Sequence, residues 1–156
     1  MNYSIKSDLT ESDLLRIKKS NIVALDTETG GLNNPSRDLL YLVQICDIDG
    51  AVDIVKTSNW HLAGNLRRII EDRSVTKVIH FAIMDCGFIF QNMGIMPRNV
   101  YCTKIASKLA RTYASGHNLE SLVDEFLGIR LDKKQQTTFW GREPLSNEQL
   151  EYASTD

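Results

Sequence analysis

The chain has 156 residues, 42% of them hydrophobic, and a formal net charge of −2 at pH 7. That length and apolar content predict one core and one domain spanning residues 1–156. The nearly balanced charge excludes a strongly basic field that would hold long nucleic acid through many phosphates.

Asp8 or Thr10 is placed to cap a short helix carrying Leu14, Leu15 and Ile17. Ile22-Val23-Ala24-Leu25-Asp26-Thr27-Glu28-Thr29-Gly30-Gly31 follows, an apolar run that meets an acidic pair and two glycines. It reads as a buried strand, and strand alternation puts Asp26 and Glu28 on one face, with Ile22 and Ala24 behind them. Two carboxylates at the mouth of a buried strand repel and lose hydration, so the pair calls for protons or cations. Hard divalent ions are held in this way, by a few carboxylates plus phosphate oxygens. With 20 acidic residues in the chain, acid-x-acid pairs also arise by chance. Asp47-Ile48-Asp49-Gly50 is one, read as the turn of a hairpin joining Leu39–Cys46 to Ala51–Val55.

A helix is predicted from about Trp60 to Glu71, with Leu62, Leu66, Ile69 and Ile70 on its apolar face, then a short buried strand from Lys77 to His80. A helix from Ala82 to Met93 would put Asp85 on the same face as Phe81, Phe88 and Ile89. A carboxylate there needs either a cation or the free backbone N–H groups of the first helical turn. His80 reads as a hydrogen-bonding residue at the strand end rather than a metal ligand. Asn99–Cys102 is a further short strand, entering a helix from Thr103 to about Tyr113 whose Lys104, Lys108 and Arg111 read as a solvated stripe.

Asn118 and Gly128 bracket a helix bearing Leu119, Leu122, Val123, Phe126 and Leu127. The stretch from Arg130 to Trp140 mixes cations, amides and aromatics. It suits either a nucleotide site or an exposed loop anchored by Trp140. Ser146 and Gln149 form a capping box for the last helix, on which Tyr152 and Asp156 share a face. Cys46, Cys86 and Cys102 form no CxxC pair and read as small core residues with reduced thiols, which points to the cytoplasm. The sequence shows no secretory leader and no apolar run long enough to cross a membrane. The order of strands followed by helices predicts an α/β fold, a mixed sheet covered by helices.

In order, these pieces resemble the DEDD superfamily of 3′–5′ exonucleases. Asp26-Thr27-Glu28 is similar to its first motif, His80 to Asp85 to its second, and Tyr152-Ala153-Ser154-Thr155-Asp156 to the Tyr-x-x-x-Asp motif of the tyrosine branch. Leu131, Lys133, Gln136, Thr138, Trp140 and Pro144-Leu145-Ser146 resemble ribonuclease D. Tyr101-Cys102-Thr103-Lys104-Ile105-Ala106-Ser107-Lys108-Leu109 resembles nano-RNase C, the short member that degrades dinucleotides. Two departures stand out: Phe81 replaces the asparagine of many relatives, and relatives continue the last helix and add further C-terminal helices.

The resemblance implies a ribonuclease H-like fold, lacking those C-terminal helices, and two Mg²⁺ or Mn²⁺ ions held by Asp26, Glu28, Asp85 and Asp156. Tyr152 would orient or deprotonate the attacking water. Thr27, Leu32, His80, Lys133, Gln136 and Trp140 would form the substrate site: Leu32 packed on a base, Lys133 and Gln136 at phosphate or sugar, Trp140 shaping the loop and His80 supporting the edge. The implied activity is 3′–5′ exoribonuclease cleavage of short RNA, chiefly dinucleotides, to nucleoside 5′-monophosphates. The implied assembly is a homo-oligomer, octameric in nano-RNase C-like relatives. The alternatives are ribonuclease D-like trimming of longer RNA such as tRNA precursors, and a catalytically dead nucleic-acid-binding domain.

Overall fold

Six strands form one mixed sheet in the order β1-β4-β3-β2-β5-β6. The computed structural model describes residues 2–31 and 34–155; Leu32 and Asp156, both assigned roles above, lie outside the described residues. The strands are β1 (Asn2–Lys6), β2 (Ile22–Thr29), β3 (Leu40–Asp47), β4 (Ala51–Lys56), β5 (Thr76–Ile79) and β6 (Val100–Cys102). The pairs β2·β3 and β3·β4 are antiparallel, whereas β1·β4, β2·β5 and β5·β6 are parallel. The helices are α1 (Glu11–Ser20), α2 (Gly64–Glu71), α3 (Ile83–Met93), α4 (Thr103–Ala110), α5 (Leu119–Leu127) and α6 (Asn147–Ala153).

Alternation along β2 divides the molecule into two layers. Val23 and Leu25 point into one core with Val43, Ile45 and Ile79, covered by Leu14 and Ile17 of α1, Leu66, Ile69 and Ile70 of α2, and Phe88, Ile89 and Met93 of α3. On the other face, Leu42, Val52 and Ile54 lie under Trp140 and under Leu150, Tyr152 and Ala153 of α6. Full burial of each large aliphatic side chain contributes roughly 1.5–3 kcal/mol, so these two layers fix which way Asp26 and Glu28 face.

Several local expectations change in the structure. β1 was not read from the sequence; it is short, polar at Ser4 and Lys6, and joins the sheet through β4. Thr10, not Asp8, caps α1, with Asp13 closing a capping box, and Leu15 is 71% exposed because only Leu14 and Ile17 face the core. The predicted helix from Trp60 is a 3-10 turn at Trp60–Leu62 followed by α2, and Leu62 points outward. Phe81 precedes α3 and adopts φ +60°, so it leaves the stripe formed by Asp85, Phe88 and Ile89. Arg111 is no solvated residue: it is 5% exposed, and its guanidinium pairs with Glu125 and donates to Ser107 Oγ at 2.8 Å and to the Gly116 carbonyl at 3.0 Å. On α5, Phe126 and Leu127 are exposed.

The hairpin at Asp49-Gly50, the Asn118 and Gly128 caps and the Ser146–Gln149 capping box are present as expected. The three cysteines are free and half-buried, packed against the edges of the two cores. Among the described residues no helix is long and apolar enough to cross a membrane.

Candidate active site

The site begins where β5 stops. Pairing of β2 with β5 ends at Ala24↔Val78, so Asp26 lies past the last paired residue, beside the segment of His80, Phe81 and the first turn of α3. A cavity of about 300 Å³ opens there, lined by Asp26, Thr27, His80, Phe81, Asp85, Lys104, Asn118, Lys133 and Gln136 among others. Glu28, 6% exposed, lies two residues along β2 on the same face as Asp26, just before a register shift in the β2·β3 ladder.

Asp85 is 6% exposed on the inner face of α3, and Thr27 Oγ1 donates to its Oδ1 at 2.7 Å. Thr27 points to the opposite face from Asp26, so its hydroxyl serves Asp85. His80 Nδ1 shares a hydrogen bond of 3.0 Å with Thr103 Oγ1, which fixes the ring at the cavity wall. Lys133 forms an ion pair with Glu120 at 3.4 Å while lining the cavity. Cys86, next to Asp85, is no nucleophile: burial first, then the Asp85 charge, pushes its thiol up to about 11.

Two expected residues stand elsewhere. Trp140 is 2% exposed and packs against Tyr152 with ring centroids 6.0 Å apart, so it is a core residue that supports α6. The indole packs on the apolar floor of Leu42 and Ile54, as an anchor of the preceding loop does. Tyr152, 8% exposed, lines a neighbouring cavity of about 510 Å³ with Leu131, Gln135 and Glu148.

The sequence reading missed four contributors. Phe81 and Lys104 form a cation–π pair at 3.7 Å on the cavity wall, and Asn118 lines it as well as capping α5. Gln44 lies buried opposite Asp26 on β3. An amide within an otherwise apolar strand was the one available signal, and only for Gln44.

Among the described residues no group of three or more His, Cys, Asp or Glu side chains is gathered closely enough to hold a metal ion. The chemistry of the donors nevertheless suits one: Asp26, Glu28 and Asp85 supply hard carboxylate oxygens of the kind that hold Mg²⁺. Gln44 Oε1, buried beside Asp26 and Glu28 with no hydrogen-bond partner, is a further acceptor for a polar ligand at this place.

Comparison with known proteins gives the chain a family. Residues 3–156 match the 3′–5′ exonuclease family. Ribonuclease D of Sphingobium indicum is 34% identical over 142 residues, covering 90% of this chain and 36% of that protein. The structure of Brucella melitensis NrnC with bound Mg²⁺ has a TM-score of 0.88 at 40% identity, over 100% of this chain and 75% of that one. The same protein bound to pGG gives 0.89 at 41% identity, over 100% and 74%. The chain spans about a third of the length of the curated ribonuclease D relatives it matches.

A mixed sheet with this strand order, with acids on its central strand and on the helix beside it, is a ribonuclease H-like nuclease fold. The chain belongs to the DEDD 3′–5′ exonucleases, in the group formed by ribonuclease D and NrnC.

Proposed function

We propose that this chain is a divalent-metal-dependent 3′–5′ exoribonuclease that cleaves short RNA, dinucleotides foremost, to nucleoside 5′-monophosphates. One observation carries the reading: Asp26 and Asp85, from separate elements, line one cavity together with His80, Lys133 and Gln136. Carboxylates together with a cation and an amide suit a phosphodiester, with donors for phosphate or sugar oxygens. The nearly balanced charge favours a substrate with few phosphates, and the likeness to an NrnC structure holding pGG supports a very short one.

Asp26, Glu28 and Asp85, with Asp156, are the residues that would hold two Mg²⁺ or Mn²⁺ ions, and such a pair supplies an activated water and charge neutralisation at the scissile phosphate. The chain's own side chains do the rest. Thr27 fixes Asp85, and Thr103 fixes His80 at the wall. Lys133 and Gln136 orient the substrate's phosphate and sugar. In this reading the Tyr152 hydroxyl positions the attacking water or takes its proton. Trp140 holds α6 and therefore Tyr152 in place. A cytoplasmic homo-oligomer is the setting we assign to this activity.

The test is length-resolved product analysis on RNAs graded upward from a dinucleotide, with Mg²⁺ or Mn²⁺. Stepwise release of nucleoside 5′-monophosphates from the 3′ end, fastest for the dinucleotide, is expected. Faster shortening of long RNA would replace this reading with trimming, and no cleavage with either ion would leave a binding domain.

A further inference from the structure

Gln44 is an amide set into an apolar layer. It lies on β3 directly opposite Asp26, two pairs along from Glu28↔Leu42, and across from Ile54 on β4. Directly opposed residues of an antiparallel pair share a face, and diagonal ones lie within reach of long side chains. Its neighbours on that face, Leu42, Val52 and Ile54, are buried under Trp140 and α6, and Gln44 itself is only 4% exposed. Burying an amide without partners costs several times what burying a methylene gains, so an apolar residue would serve packing better here.

The side chain is half satisfied. Nε2 donates to Glu28 Oε1 at 3.5 Å, at the long limit of a hydrogen bond, while Oε1 has no hydrogen-bond partner. A donor therefore faces a carboxylate, and an unused acceptor is buried beside Asp26. We propose that Gln44 is a positioning residue of the metal site: Nε2 holds the Glu28 carboxylate in its binding orientation, and Oε1 accepts a hydrogen bond from a water at the same site. The inference rests on the exonuclease reading, because it requires Glu28 to be a metal-holding acid. Partners of this kind orient ligand side chains, and their removal characteristically weakens metal binding rather than folding.

The experiment uses the whole chain and Gln44→Met, which keeps length and volume but loses both amide groups. Mn²⁺ binding is titrated calorimetrically without substrate, thermal unfolding is measured in EDTA, and dinucleotide cleavage is followed across Mn²⁺ concentration. The expected result is Mn²⁺ affinity lowered roughly 10- to 100-fold, unfolding in EDTA unchanged or shifted upward, and kcat restored by high Mn²⁺ with KM for the dinucleotide unchanged. Should Gln44→Met not fold, Gln44→Asn keeps the amide but withdraws it from Glu28, and the same loss of affinity is expected. Wild-type Mn²⁺ affinity in either folded variant overturns the proposal while leaving the exonuclease reading intact. A wild-type chain that neither binds Mn²⁺ nor cleaves RNA overturns both.

Discussion

Thr27 on β2 donates to Asp85 on α3 across 2.7 Å, joining the strand of the acidic pair to the helix that carries the third acid. Thr27→Val keeps the shape and removes the donor. It is expected to cost about 1–3 kcal/mol of stability and to weaken Mn²⁺ binding roughly 10-fold or more. Thermal unfolding and metal titration read the two effects separately, and a variant that binds Mn²⁺ as tightly as wild type would show that the bond serves packing alone.

Asp26→Asn tests the metal site from its centre. Crowded carboxylates destabilise a fold that lacks a counter-ion, so Mg²⁺ or Mn²⁺ should raise the Tm of the wild-type chain. The substitution should remove that rise and the turnover together. Full activity in excess EDTA would exclude a metal mechanism.

Tyr152→Phe keeps the ring that packs against Trp140 and deletes the hydroxyl. Its kcat is expected to fall by roughly 10²- to 10⁴-fold, the range of positioned acid–base groups. Dinucleotide and metal affinity should stay within a few-fold, read by single-turnover cleavage and by binding in Ca²⁺. An unchanged rate would return Tyr152 to the core, where its 8% exposure already places most of its ring.

Far from the site, Arg16 bridges Asp47 and Asp53, and Lys6 bridges Asp13 and Asp53 at 2.7 Å. Burial pushes the Asp13 carboxyl up, but hydrogen bonds from Lys6 and Thr10 outweigh it and hold the group well below its usual value. Asp47 is likewise lowered: burial is opposed by the Ala51 N–H and by Arg16. Depressed carboxylates stabilise the fold fully above their unfolded value, about pH 4, and lose that contribution as pH falls through the folded value. Arg16→Met is expected to destabilise at neutral pH by on the order of 2 kcal/mol. The gap to wild type should close below about pH 4, as followed by urea unfolding against pH.

Lys77 has the opposite sign. Its side chain is fully buried, Nζ donates to the Val75 carbonyl at 2.9 Å and to that of Asp72, and burial, partly offset by Asp72, brings its value down from 10.5 to about 8. The unfolded chain then binds the proton more tightly, so the wild type gains stability as pH climbs from about 8 to 10.5. The Tm of wild type minus that of Lys77→Met should rise through that window. A flat difference would mean that the buried amine stays charged.

The sequence showed most clearly what is local. Caps at Asn118, Ser146 and Gly128 and the turn at Asp49-Gly50 depend on a few neighbouring residues, and all were legible. The acids Asp26 and Asp85 were legible because a carboxylate on an apolar stripe is costly and hence informative. What escaped depends on distant partners. β1 exists because β4 offers it an edge, and Arg111 is buried because α5 brings Glu125 to it. Trp140 was legible as an anchor of its loop, but not the face it covers, which is the sheet's second one. Phe81 escaped because a positive φ at a bulky residue leaves no trace in side-chain periodicity.

The attachment of β1 has a consequence for how the molecule opens. This edge strand is fastened by Ser4 and Lys6 to Asp53, while Ile5 stays 41% exposed, so charge contributes more to its docking than apolar area does. It is separated from β2 by β4 and β3. Acid should therefore release β1 as a unit of its own, with early amide exchange there, while the amides of β2 and β3 wait for the whole domain to open.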